Sequence, residues 1–345
     1  MGPCAAGTLF ILMKRLPLLI ILLAVLSCRK ENTADNSLSP AYPDYFPAPV
    51  YQFNNNTVNK DRFELGKKLF FDPILSLDST ISCAKCHAQV HAFADHNVSL
   101  SAGINGLMGT RNSPSITNMI WSPTFMWDGG VNHIEVFSVA PITNHVEMGE
   151  SMLSVIRKLN NITAYRTAFK KAYNIDEITD QAMLRALTAY MSMIISAGSK
   201  YDEYRQGKTS LSASELDGLS LFRQKCAGCH SEPLFTDYSY KNNGLDSVFN
   251  DLGRETITNN SNDRGKFKVP SLRNVELTYP YMHDGRFWSL REVLDHYSSG
   301  IVISPSLDAS LQHSIPMTIQ EKESIIEFLK TLSDWNLVSD QMFNK

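Results

Sequence analysis

The chain has 345 residues, enough for two domains of ordinary size with cores of their own. Its 32 basic and 35 acidic residues leave a formal net charge of −3. No basic run or basic–aromatic patch marks a nucleic-acid surface, so that class of partner is set aside.

In chain order, Lys14 and Arg15 precede an apolar run from Leu16 to Leu26 that is too short to span a bilayer comfortably, which predicts a signal peptide. Residues 1–12 add nothing to that signal, so Met13 is an alternative start. The run ends in Val25-Leu26-Ser27-Cys28, similar to a bacterial lipobox, and predicts a periplasm-facing protein lipid-anchored through Cys28. The alternative is an ordinary cleaved signal with Cys28 incidental. Without residues 1–27 the balance is 30 basic against 35 acidic residues, or −5. Residues 29–45 are rich in Ser, Asn, Asp and Pro and read as a linker.

Asn59 to Phe71 reads as a helix with Phe63, Leu65, Leu69 and Phe70 on one face, followed by Cys83-Ala84-Lys85-Cys86-His87. Residues 88–135 lack periodicity and are rich in Gly, Asn, Ser and Pro, as in stretches that pack around a site. Met152, Val155, Ile156 and Leu159 mark a helix; Leu184, Leu187, Met191, Ile194 and Ile195 mark another that stops near Gly198. Ser212 and Glu215 form a capping box that opens a helix through Leu216, Leu219 and Phe222 into Cys226-Ala227-Gly228-Cys229-His230. Residues 232–268 are loop-like, Leu290 to Tyr297 reads as helix, and Thr318 and Glu321 cap a last one carrying Ile325, Phe328, Leu329 and Leu332. Strand signal is slight throughout.

Each C-x-x-C-H run reads as a c-type haem attachment site, in which two thiols bond the haem vinyl groups and the imidazole of His87 or His230 takes the iron. A zinc site would need two further ligands at matching spacing, and a redox dithiol would sit in a βαβ pattern; neither accompanies these runs. All six cysteines are then placed: Cys4 in the leader, Cys28 as anchor, and four on haem, with no disulfide framework left over. The expected fold is mainly α, with two cytochrome c-like haem domains with long loops: an N-terminal one over 46–198 and a C-terminal one over 199–345, with the last helix either staying on the second domain or folding back on the first.

From about residue 45 to its end the chain resembles the bacterial di-haem cytochrome c peroxidase family. The resemblance is carried by Leu65-Gly66-Lys67-Lys68-Leu69-Phe70-Phe71-Asp72, Arg111-Asn112-Ser113-Pro114, Trp127-Asp128-Gly129 and Pro141-Ile142-Thr143-Asn144-His145-Val146-Glu147-Met148-Gly149. Lys268-Val269-Pro270-Ser271-Leu272-Arg273-Asn274 and Leu277-Thr278-Tyr279-Pro280-Tyr281-Met282-His283-Asp284-Gly285 extend it. The family includes the di-haem enzyme that matures the tryptophan-derived cofactor of methylamine dehydrogenase.

The resemblance implies that the haem on His87 is the peroxidatic one and the haem on His230 the electron-transfer one. Some members block the peroxidatic face with a distal histidine; the matching residue here is Ile104, which cannot bind iron. His91 and His96 are nearby candidates for a blocking ligand, with surface or supporting roles as the alternative. Glu147 matches the family's acid/base glutamate, against a helix-start carboxylate as the plainer reading. Phe137 stands where the family often has glutamine, and His145 replaces a usual proline. Trp127 matches the inter-haem tryptophan. Counting along Leu290-Arg291-Glu292-Val293-Leu294-Asp295-His296-Tyr297 puts Tyr297 at the sixth-ligand position of the second haem, as in the cofactor-maturing branch, with Met282, His296 and Met317 as rivals. Asn112, Thr278 and Pro280 match the positions that hold an inter-domain Ca2+.

The leading expectation is therefore a peroxidase that reduces hydrogen peroxide with electrons from a small cytochrome c or cupredoxin, with a homodimer as one candidate assembly. The rival, supported by Tyr297, is a peroxide-dependent oxidase of a protein or organic substrate. A non-enzymatic di-haem electron carrier is a third reading, and Ile104 argues against it.

Overall fold

The computed structural model describes residues 36–345. The signal peptide, Cys28 and the linker up to residue 35 lie outside the described residues.

The helix expected ahead of the first haem run spans Lys60–Phe71. The Asn59 side chain caps it by accepting the Arg62 N–H at 2.9 Å, and the chain leaves it at Asp72, ahead of Pro73. Its buried Phe63, Leu65, Leu69 and Phe70 face the Asp180–Met191 helix. Contact is backbone-close at Gly66, where a Cβ would fall 1.9 Å from the Ala186 carbonyl oxygen. The second haem run repeats this construction. The Ser212/Glu215 capping box opens Ala213–Lys225, which packs on Ile319–Lys330. At Gly218 a Cβ would fall 1.9 Å from the Ser324 carbonyl oxygen.

Other elements follow the expected order with several differences. The helix expected to reach Ile195 ends at Met191; Ile194 lies in the next turn, where its carbonyl accepts the Asn118 N–H at 2.9 Å. Thr163–Tyr173 is a helix the sequence reading passed over, and Lys200–Arg205 is a short one closed by a Ser199/Asp202 capping box. Leu290–Asp295 continues into a π-helical turn over His296–Gly300, a wider winding often found at functional sites. The strands named among the described residues are two-residue pieces, Tyr240–Lys241 antiparallel to Phe267–Lys268.

Among the described residues the two larger apolar cores form around these helix pairs, with a smaller cluster of Phe46, Ile120, Trp121 and Leu234 beside them. One gathers Phe63, Phe70, Phe169, Leu187 and Tyr190; the other gathers Leu219, Phe222, Phe235, Ile325 and Phe328. The helix opened by Thr318 stays on the second core. It is the chain beyond it that returns to the first: Leu337 and Phe343 join that core, and the Tyr190 hydroxyl donates to the Phe343 carbonyl at 2.9 Å.

The two halves also echo each other past the helices. Phe93 and Phe235 each follow a haem run with a left-handed backbone, φ 59° and 55°. Asn118 and Asn274, Met126 and Met282, and Gly129 and Gly285 are further left-handed pairs at constant separation. At the seam the echo becomes reciprocal: the Asn112 N–H donates to the His283 carbonyl at 2.7 Å, and the Lys268 N–H donates to the Trp127 carbonyl at 2.7 Å. Lys268 and His283 occupy in the second half the places of Asn112 and Trp127 in the first.

Candidate functional site

The histidines that close the two C-x-x-C-H runs are presented alike. His87 Nδ1 lies 3.0 Å from the Phe93 carbonyl oxygen; His230 Nδ1 lies 3.1 Å from both the Phe235 and Pro270 carbonyls. A non-glycine residue pays for a left-handed backbone, and here that conformation aims a carbonyl at an imidazole. Nδ1 is thereby held as the protonated nitrogen and Nε2 keeps the lone pair a metal needs. Burial lowers the pKa of both rings, which keeps them neutral.

The thiols agree with covalent attachment better than with a thiolate–metal centre. Burial pushes Cys83 and Cys226 up to about 12. Burial, then the charges of Asp95 and Glu147, push Cys86 up to about 11. Burial also raises Cys229. No cluster of three or more His, Cys, Asp or Glu suited to a metal ion occurs among the described residues. Beside Cys226, Cys229 and His230 opens a cavity of about 360 Å³ whose walls include Val269, Leu272, Val275, Leu294 and Ile325. An apolar slot with two thiols and an imidazole at one wall fits a haem.

Tyr297 lines this cavity, as do Met282 and Met317. The Tyr297 phenol is pushed up to about 12 by burial, with the two haem-run thiols adding to the effect. His296 is turned elsewhere: it is buried, with Nε2 2.9 Å from the Asn243 carbonyl oxygen. Met282 sulfur accepts the Asn243 amide at 3.4 Å.

On the first haem run, Ile104 and Glu147 are neighbours. The Ile104 N–H donates to the Glu147 carbonyl at 2.9 Å, and Ile104 is buried. The approach is tight: a Cβ on Gly103 would fall 2.1 Å from the Val146 carbonyl, and one on Gly149 would fall 2.3 Å from Ile104 Cδ1. Glu147 precedes the Met152–Asn160 helix, whose cap is Ser151, and its carboxylate accepts the Asn144 amide at 2.6 Å. Burial raises its pKa and the Asn144 bond offsets part of that rise. The sequence reading missed Asn144, although it stands three residues away in the same quoted run. His145 is exposed, and Phe137 packs at the edge of the first core with its ring 5.5 Å from that of Phe125.

Trp127 lines the second cavity and donates its indole N–H to the Asn112 carbonyl at 2.8 Å. Asn112 is buried and its amide donates to the Ser99 carbonyl at 3.1 Å. Its bond to His283 sets it against the segment carrying Thr278 and Pro280. His96 Nε2 lies 3.0 Å from the Tyr279 hydroxyl, and His91 stacks on His96.

A family model described as di-haem cytochrome c peroxidase matches residues 60–210. The methylamine utilization protein MauG of Methylorubrum extorquens is 34% identical over 296 residues, covering 84% of this chain and 82% of that protein. The cytochrome c551 peroxidase of Nitrosomonas europaea is 33% identical over 281 residues, covering 80% of each. A crystal structure of a MauG-like protein associated with microbial copper homeostasis superposes with a TM-score of 0.79 at 31% identity, covering 89% of this chain and 99% of that one.

Proposed function

This chain belongs to the di-haem cytochrome c peroxidase family, and we propose that it divides the family's reaction between two unlike haem sites. It is an oxidoreductase acting on hydrogen peroxide, reducing it to water with electrons from a small redox protein. Two covalently attached c-type haems, when bound, supply the iron chemistry and the electron storage.

In this reading the N-terminal domain, 46–198, holds the peroxidatic site and the C-terminal domain, 199–345, receives electrons. The observation that carries it is the Glu147 carboxylate, tethered by Asn144 beside Ile104 on the first haem run. Ile104 offers no ligating atom, so peroxide has room there without prior reduction. Glu147 takes the proton from the near peroxide oxygen and returns it to the far one as water leaves. A pKa raised by burial suits that exchange better than a strongly acidic carboxyl would. Phe137 in place of a polar side chain keeps the pocket dry. Trp127, on the second cavity and hydrogen-bonded to Asn112, is the aromatic step for electrons crossing the seam.

On the second haem we assign Tyr297 as the sixth ligand: it lines the cavity, while His296 is held by Asn243. Asn112, Thr278 and Pro280 are assigned to Ca2+. The fit rests on donor chemistry, since oxygens at the seam suit a hard cation and the Asn112–His283 bond draws the two segments together. The donor is a small cytochrome c or cupredoxin. The chain is exported and held at a membrane by lipid on Cys28; no helix among the described residues is long and apolar enough to cross a membrane.

The test uses haem-loaded protein lacking its leader, left oxidised, given peroxide and a pre-reduced small cytochrome c. Rapid donor oxidation is expected, reduced about 10²–10⁴-fold in Glu147→Gln. Donor oxidation only after prior reduction would overturn the open-site assignment. Tyr297 also favours a second reading, oxidation of a protein or organic substrate at the expense of peroxide. A long-lived oxidised spectrum with no donor turnover would select it.

A further inference from the structure

An aromatic–imidazole column lies outside this scheme. His91 and His96, both in the loop after the first haem run, stack with ring centroids 3.3 Å apart and planes 10° apart. On the far side His96 meets Tyr279 of the other half: the rings are edge-on at 5.0 Å, and Nε2 is 3.0 Å from the phenol oxygen. All three side chains are partly buried. The column is close to the first haem run, because Asp95 is near enough for its charge to act on both Cys86 and His87.

We propose that Tyr279 and His96 form a proton-coupled redox pair that holds one oxidising equivalent from hydrogen peroxide when no electron donor is at hand. The proposal rests on the peroxidase reading. Losing an electron from a phenol is costly while the O–H stays in place. The imidazole of His96 stands at hydrogen-bond distance to take the proton. In the step, the Tyr279 O–H bond breaks and its proton moves to His96 Nε2. The electron goes to the peroxide-oxidised protein, leaving a neutral tyrosyl radical. An electron from the donor and the proton on His96 restore the phenol. Each peroxide carries two oxidising equivalents: with no donor at hand the pair holds one and the other stays on the oxidised protein. Two donor electrons with two protons complete the reduction to two waters, the proton kept on His96 going back to Tyr279. The face of His91, held neutral by burial and by His96, lies against the imidazolium so formed.

The experiment freeze-quenches haem-loaded protein after peroxide addition without donor, and records electron paramagnetic resonance on unlabelled and ring-deuterated tyrosine samples. A tyrosyl signal is expected, narrowed by deuteration, lost in Tyr279→Phe, and formed about 10²-fold more slowly in His96→Gln, the scale of losing a positioned base. An unchanged resting haem absorption spectrum in each variant controls for folding, and His96→Gln tests the pair with the phenol intact. A tyrosyl signal that survives Tyr279→Phe overturns the proposal. So does wild-type protein that oxidises donor cytochrome yet forms no tyrosyl signal. Failure to oxidise donor at all would overturn the peroxidase reading beneath it.

Discussion

Asn144→Ala separates the proton-transfer role of Glu147 from a merely structural one. The Asn144 amide donates to the Glu147 carboxylate at 2.6 Å, and this bond works against the burial that raises the carboxyl's pKa. A hydrogen bond to a charged group is worth about 1.5–3 kcal/mol. At about 1.4 kcal/mol per unit, its loss should raise the Glu147 pKa by about one to two units. The base form is the carboxylate, so the acid limb of the pH–rate profile should move upward by that amount. Turnover well above the new pKa should change much less. The assay is donor-cytochrome oxidation across pH, with the resting haem spectrum as a folding control. Glu147→Gln should instead lower the rate at every pH. An acid limb that stays in place in Asn144→Ala would refute the reasoning, since Glu147 would then not be the group that sets it.

Tyr297→Met should alter the absorption of the second haem and raise its potential, because methionine ligation raises it; an unchanged spectrum would remove Tyr297 as ligand. Gly218→Ala should cost about 1–3 kcal/mol, since its Cβ would fall 1.9 Å from the Ser324 backbone oxygen. Gly109→Ala, with nothing within 4 Å, should be close to neutral; thermal unfolding of the two variants reads the difference. The fully buried Arg273 holds Asp202 through two bonds of 2.9 Å. Burial alone would raise the Asp202 pKa, but the bonds and charge of Arg273 outweigh it and hold the carboxyl below its ordinary range. That stabilisation is present above the unfolded-state pKa of about 3.9 and is lost as pH falls through the lower folded value. Arg273→Met should cost about 3–5 kcal/mol at neutral pH by stranding the Asp202 charge. The deficit should shrink toward pH 4 in denaturant titrations, as the stranded carboxyl takes up a proton.

Local signals in this chain were legible and long-range ones were not. Capping boxes at Ser212 and Thr318 and the apolar face of Lys60–Phe71 depend on residues three or four apart, and the Ser289/Glu292 box, equally local, was passed over. Thr163–Tyr173 escaped because its buried face is Tyr165, Phe169 and Ala172, which weigh little as apolar residues among lysines and arginines. The haem runs were plain from spacing alone, but the carbonyls that orient their histidines come from backbone at Phe93, Phe235 and Pro270, which no side-chain pattern announces. Nor can spacing join Tyr279 to His96 across the seam. His296 and Tyr297 are adjacent in sequence, and only the winding of His296–Gly300 and the Asn243 carbonyl separate their surroundings.

The internal echo explains why one scaffold supports two different sites. Each half spends a helix glycine to seat its haem run against a partner helix, and a left-handed phenylalanine to aim its histidine. Those devices are shared, and the surroundings of the two runs differ: Ile104 and the tethered Glu147 pair in the first half, and Tyr297 lines an apolar cavity in the second, the residues to which the proposed function gives unlike roles. The seam diverges in the same way. Trp127 and its counterpart His283 both line the cavity at the second haem run and both make the same backbone bond across the seam, but Trp127 donates its indole N–H to Asn112 whereas His283 stacks on Phe267 with ring centroids 3.7 Å apart. Backbone symmetry thus holds the halves in register, while their side chains differ, and in the proposed function that asymmetry is what gives electron flow across them a direction.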